Sequence, residues 1–268
     1  MIKDESIIYG KRDETFKNFL FQILKRSKMR NNTIQTIINE NVEMYSMAFT
    51  HPSADEENNY EYLELMGDSL VNNCIVWYLN GRFPQLRNPQ CVKIIARLKI
   101  NLVSKKSFYE FAEKMGMWSF VSASEDTKRT KMKKTLEDVF EAFFGATCLI
   151  VNERNGMGYN ICYNIIKSLF DEIDISLKYE DLYDAKTRLK ETFDLYKYLG
   201  KIQYSNQRIE DIQYVEIHMW NENGRILLGK GSSALKPDAE QKAATNALIN
   251  LNERHNVSKP IPEIYYNL

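Results

Sequence analysis

Residues 61–69 read Glu-Tyr-Leu-Glu-Leu-Met-Gly-Asp-Ser, and this stretch restricts the fold more than any other part of the chain. Glu61, Glu64 and Asp68 are spaced i, i+3, i+7, so a helix carries all three carboxylates on one face. Leu63, Leu65, Met66, Leu70 and Val71 thread through them and draw much of that helix into a core. Carboxylates pulled towards an apolar interior are costly unless they are paired or hold a cation. A second segment, Asp138-Val-Phe-Glu141-Ala-Phe-Phe-Gly145, has the same character. Two helices presenting acids at i and i+3 beside apolar residues can meet to form a site of four carboxylates. Hard oxygen ligands of this kind suit magnesium, which commonly serves phosphate chemistry. Each piece alone also has a plainer reading. Acids at helical spacing are most often a solvated face, and Thr135-Leu-Glu-Asp138 fits a capping box that opens the second helix. His51 reads as a turn residue before Pro52, and Gly67 and Gly145 as points of close helix approach.

A chain of 268 residues with 44% hydrophobic content can bury a sizeable core and hold one or two domains. Lys+Arg and Asp+Glu each number 36, so net charge advertises no nucleic-acid partner. Distribution says more. Lys128-Arg129-Thr130-Lys131-Met132-Lys133-Lys134 carries five cations and no acid immediately before Asp138. The run reads equally as a solvated loop or as a holder of phosphates that offsets the acids. Cys74, Cys91, Cys148 and Cys162 lie far apart without a C-x-x-C pair, and Cys74 and Cys148 sit in apolar helical stretches. Buried free thiols are therefore expected, in the cytoplasm or another reducing intracellular compartment, the nucleus included. The N-terminus, Met-Ile-Lys-Asp-Glu-Ser, has neither the apolar core of a signal peptide nor the acid-poor composition of a transit peptide. No apolar run reaches membrane-spanning length, so no membrane partner is expected. Three histidines (His51, His218, His255) without a His-Glu-x-x-His pattern argue against zinc hydrolase and Ser-His-Asp chemistry.

Periodicity makes residues 1–175 mostly helical. Phe16, Phe19, Leu20, Ile23 and Leu24 follow helical spacing in an amphipathic extension over residues 1–29. Ile34, Ile37 and Ile38 open the next helix, and Pro52 ends the one that carries Met47 and Phe49. Helices are further predicted from Val103 to Met115 and from Asp138 to Val151, the latter apolar enough for a bundle centre. The character changes after about residue 175. Asp171 to Tyr183 reads as a connection, Asp184 caps a helix through Tyr198, and Gly200 ends it. Tyr214 to Met219 alternates like a strand, Asn221 to Gly224 is a hairpin turn, and Arg225 to Lys230 returns. A closing helix runs from about Pro237 to about Asn252. The second domain so defined covers 182–253, leaving a tail of 254–268.

The two acidic segments, in this order and spacing, resemble the ribonuclease III family. Its signature stretch reads roughly Glu-Arg-Leu-Glu-Phe-Leu-Gly-Asp-Ser, followed later by Asp-x-x-Glu-Ala-x-x-Gly. The likeness includes Ala48-Phe49-Thr50-His51-Pro52-Ser53, where the family has Ala-Leu-Thr-His-x-Ser. It includes also Arg97-Leu98, Leu102-Val103, Phe111-Ala112 and Gly116, and spans roughly residues 30–175. The second domain resembles a double-stranded RNA-binding domain through Lys186-Thr187-x-Leu189, Gly229-x-Gly231-x-Ser233 and Ala239-x-x-x-Ala243-Ala244-x-x-Ala247-Leu248. The implied fold class is mainly α: an all-helical endonuclease domain over 30–175, then a small α-β-β-β-α module.

The resemblance implies a double-strand-specific endoribonuclease that works by magnesium-assisted hydrolysis, with manganese as a substitute metal. It leaves 5′-phosphate and 3′-hydroxyl ends. Metal ligands carried over from the family are Glu64, Asp68, Asp138 and Glu141. Glu61 joins the catalytic set as a supporting acid tied to the subunit contact. A homodimer is implied, with Leu65, Met66 and Phe49 as contact candidates that serve equally as monomer core. Double-stranded RNA is the expected partner, met by Lys128, Arg129, Lys131, Lys133 and Lys134, and by Lys236 in the second domain. Tyr62 stands where the family usually has arginine, and Tyr60 where it has asparagine. The second domain departs further. Lys236-Pro237-Asp238 replaces the family's adjacent lysines, and Gln207-Arg208-Ile209-Glu210-Asp211 lacks the Gly-Pro-x-His of the minor-groove loop. Cations and acids are equal in number over residues 181–268. Two rival readings follow: a catalytically idle structural or RNA-binding subunit of a ribonucleoprotein, and an enzyme that needs an RNA-binding partner protein for affinity.

Overall fold

Helices of the first unit follow the periodicity of their apolar residues. In chain order they are α1 (Glu14–Lys25), α2 (Asn31–Glu40), α3 (Val42–Ala48), α4 (Glu61–Arg82), α5 (Val92–Leu102), α6 (Lys105–Lys114), α7 (Glu125–Thr130), α8 (Met132–Asn155) and α9 (Gly158–Phe170). A two-residue ribbon pairs β1 (Ile7–Ile8) with β2 (Ala123–Ser124). The computed structural model describes residues 6–103, 105–222 and 224–267, and the chain divides into two compact units, 1–175 and 176–268. Among the described residues no helix is long and apolar enough to cross a membrane.

Helix α8 is buried on nearly every side. Leu136, Val139, Phe140, Phe143 and Phe144 have no exposed surface, as befits a helix surrounded by others. Phe140 stacks on Phe108 of α6 at 5.0 Å, and Tyr45 of α3 stacks on Phe143 at 5.9 Å. Helix α4 crosses α8 where two glycines meet. A Cβ on Gly67 would lie 1.8 Å from the Glu141 carbonyl oxygen, and one on Gly145 would lie 2.0 Å from that of Leu63. No side chain fits between these backbones, so the crossing sets the distance between the acids that flank it.

The amphipathic segment at the N-terminus packs into this same unit. Phe16, Leu20 and Leu24 are fully buried, and the Phe16 ring lies 5.3 Å from Phe49 and 5.4 Å from Phe120. Residues 1–5 of the extension lie outside the described residues. Phe49, a dimer-contact candidate by sequence, has 0% exposure and belongs to the monomer core. The capping box expected at Thr135 does not form. Helix α8 begins at Met132, one turn earlier, and Lys131 stands at its start without a side-chain cap. Lys133 and Lys134 are good helix formers and extend the helix upstream. The basic run is accordingly helical rather than a loop, with α7 capped by Ser124 Oγ accepting from the Thr127 amide. All four cysteines are free; Cys148 is half-exposed rather than buried.

The second unit contains α10 (Tyr179–Leu182), α11 (Ala185–Leu195), β3 (Lys201–Ile209), β4 (Ile212–Asn221), β5 (Gly224–Ser233) and α12 (Lys236–His255). Asp184 caps α11 through the Thr187 amide at 3.0 Å. The strands form an antiparallel meander in the order β3-β4-β5. Val215, Ile217, Met219 and Leu228 face Leu189, Ala243, Ala244 and Leu251 in its core. Glycines again permit close contact: a Cβ on Gly229 or Gly231 would lie 2.3 Å from the carbonyl oxygen of Ala243 or Ala239. Strand β3 has a mostly exposed face pattern and extends through Gln207–Ile209, which sequence placed in a loop. The turn is shorter, at Glu210 and Asp211, with Glu210 left-handed at φ 51°. Asn221 pairs with Gly224 across the expected hairpin turn, within which Asn223 lies outside the described residues.

Three side chains of α12 line the outer edge of β5. Lys242, Asn246 and Asn250 donate to the carbonyls of Ser232, Lys230 and Leu228 at 3.0, 2.8 and 3.0 Å. Four residues of helix rise about 6 Å and two of strand about 6.6 Å, so the two repeats stay in step.

Candidate active site

Glu64 lies in the first turn of α4, and Asp138 and Glu141 lie in the second and third turns of α8. The glycine crossing brings them together. One carboxylate oxygen from each of Glu64, Asp138 and Glu141 lies within 4.8 Å of the others. Asp68 is one turn further along α4 and shares a hydrogen bond with Glu141. Its position is fixed by Asn72, whose amide donates to Asp68 Oδ1 at 2.8 Å. Glu61 lines the same cavity, of about 560 Å3, with Lys134 at its rim.

Burial and like charge raise two of these acids. Glu141 is pushed up to about 8, first by burial and then by Asp68, Glu64 and Asp138. Glu64 is pushed up to about 7 by burial, and next by Asp138. Asp138 is 7% exposed and is held by two donors. The Tyr60 hydroxyl donates to Oδ2 at 3.0 Å, and Lys134 Nζ approaches the same oxygen at 3.7 Å. Lys134 is itself largely exposed, so its pairing is weakened by solvent. Among the described residues lining the cavity, Lys134 is the one cation against six acids. Its donors are all hard oxygens, as a magnesium-sized cation requires.

The remaining sequence-derived residues divide. Lys131 and Lys133 are exposed at the start of α8, where Lys133 lies over the Tyr109 ring at 5.5 Å. Lys128 is turned inwards: its amino group sits 4.3 Å from the Trp118 ring centroid and donates to the Trp118 carbonyl, and burial lowers it to about 8. Arg129 pairs with Asp126 at 3.1 Å. In the second unit Lys236 lies 3.9 Å from Glu240, which also binds Lys186. Tyr60 and Asn72 were missed by sequence reasoning. The spacing Asp68-x-x-x-Asn72 was a legible signal, whereas Tyr60 showed only as a departure from the usual asparagine.

The profile of the Ribonuclease III domain matches residues 61–150, the span from α4 into α8. A ribonuclease 3 homologue of Invertebrate iridescent virus 6 is 39% identical over 278 residues, covering 97% of this chain and 95% of that protein. The chain belongs to the ribonuclease III family. As a ribonuclease III it is an endoribonuclease, and its α4 and α8 carry the acids of a metal-dependent family. Another ribonuclease 3 homologue, of Frog virus 3, is 38% identical over 211 residues; they cover 77% of this chain but 55% of that relative, about half its length. Among solved structures, the ribonuclease III nuclease domain of Campylobacter jejuni is similar at 23% identity and TM-score 0.45, covering 59% of this chain and 97% of that one.

Proposed function

We propose that this ribonuclease III cleaves double-stranded RNA by magnesium-dependent hydrolysis, with Glu64, Asp68, Asp138 and Glu141 as the metal-holding set and Glu61 as a supporting acid. The observation that carries the reading is the convergence of Glu64, Asp138 and Glu141 within 4.8 Å in a half-buried, acid-rich cavity. A divalent cation bound there, magnesium or in its place manganese, supplies the positive charge for attack of water on phosphorus and departure of the 3′ oxygen. The products carry 5′-phosphate and 3′-hydroxyl ends. Glu64 and Glu141, raised to about 7 and 8, would hold such a cation as deprotonated carboxylates. Lys131, Lys133 and Lys134 at the start of α8 receive the duplex phosphates and offset repulsion from the acids. Lys128 supports this segment from below rather than touching RNA.

The enzyme acts as a homodimer in this reading, one site per strand. Tyr62, Leu65, Met66, Val76 and Trp77 are exposed on α4. Their helical spacing makes a stripe suited to a twofold contact. Purified protein with magnesium and a long duplex RNA provides the test. Cleavage that is lost in Glu141→Ala is expected; an inactive wild type, or an active variant, overturns the proposal. A second reading, dependence on a partner protein for RNA affinity, is favoured by one observation. Glu240 holds both Lys186 and Lys236, which lowers the positive charge of the second unit where a duplex would be clamped.

A further inference from the structure

Tyr60 occupies the position just ahead of α4 and has 3% exposure. Its backbone is pinned on both sides: the amide donates to the Thr50 carbonyl at 3.0 Å, and the carbonyl accepts from the Glu64 amide at 2.8 Å. The ring meets His51 edge to face, with centroids 5.6 Å apart. His51 is itself fixed, because Nδ1 accepts from the Ser53 amide at 2.9 Å while Ser53 Oγ accepts from the Ser124 amide at 2.9 Å. The phenol therefore has one orientation, and in it the hydroxyl meets Asp138 Oδ2 at 3.0 Å.

We infer that Tyr60 is a positioning residue for the metal site, holding Asp138 by one oxygen so that the other faces the cation. This rests on the reading of Glu64, Asp138 and Glu141 as the metal set. Two effects of the phenol oppose each other. Its hydrogen bond draws charge from Asp138 and makes it a slightly poorer ligand. It also fixes the rotamer of a carboxylate that is only 7% exposed. Orientation prevails, since removing an outer partner of a metal ligand typically weakens metal binding about 10- to 100-fold. The Thr50–Ser53 turn gains a role from this. It holds the ring that holds the ligand.

Tyr60→Phe keeps the buried ring and removes only the donor. Titration of metal-free protein with Mn2+ alone, followed by calorimetry, measures affinity without RNA. The expected result is about tenfold weaker binding in Tyr60→Phe than in wild type, with duplex cleavage restored at high magnesium. Equal Mn2+ affinity in the two proteins overturns the inference while leaving the metal site intact. A cleavage defect that saturating magnesium does not relieve assigns the hydroxyl to the fold and also overturns it. A wild type that neither binds Mn2+ nor cleaves duplex RNA removes the underlying reading, and the inference falls with it.

Discussion

Burial and neighbouring acids push Glu141 up from an ordinary 4.5 to about 8, and Glu64 to about 7, when no cation is bound. The folded protein therefore holds more protons than the unfolded one across that interval. Stability from these groups is fully present below pH 4.5 and is lost as pH rises through about 7 and 8. Melting of the chelator-treated protein should accordingly shift to lower temperature between pH 5 and pH 8.5, and magnesium should restore it at the upper end. A flat profile would contradict the electrostatics described above. Glu141→Gln should melt higher than wild type at pH 8 without metal, while losing more than about 100-fold in cleavage rate. Glu240 makes the opposite kind of test. Glu240→Lys frees Lys186 and Lys236 and adds a cation, so duplex binding should tighten and its salt slope steepen by about one for each of these three that reaches a phosphate. A titration at two salt concentrations checks it. The clustering of Glu64, Asp138 and Glu141 was legible in the sequence because carboxylates in apolar stretches demand a partner. Tyr60 was not, since only folding brings Asp138 near it; of the two partners of Glu240, Lys236 lies at i,i+4 and Lys186 is reached only in the fold.

Among the elements, the α4–α8 crossing decides whether the site exists. Gly67→Ala places a methyl 1.8 Å from a carbonyl oxygen that belongs to Glu141 itself. The helices must separate, which costs on the order of 1–3 kcal/mol and opens the carboxylate trio. The variant should unfold at lower denaturant and bind Mn2+ more weakly; unchanged Mn2+ affinity would show that the acids tolerate a wider crossing. Sequence reasoning placed both glycines at a close approach and read the helices from their period. Its errors have separate causes. Thr135 and Asp138 match a cap, yet α8 starts ahead of them because the exposed helix formers Lys133 and Lys134 carry it past that local signal. Strand β3 escaped because it is an edge strand, exposed on most positions, without the alternation that a half-buried strand shows.

At the scale of the molecule, the exposed α4 stripe predicts self-association. Light scattering at micromolar concentration should give the dimer mass for wild type. Leu65→Glu with Trp77→Glu should shift it to the monomer. A monomeric wild type would rule the stripe out as a dimer contact. Removing residues 176–268 in a Glu141→Gln background should weaken duplex binding by less than about tenfold, because Glu240 already neutralises part of that unit. The polar side chains that α12 lays along β5 have a consequence beyond holding the helix down. The carbonyls of Leu228, Lys230 and Ser232 are already satisfied, so a visiting strand finds no free acceptor at those three positions of β5. Strand addition is thereby turned towards the edge strand β3. A sheet that accepts a neighbour on one side favours a single pairing over an open-ended stack of strands.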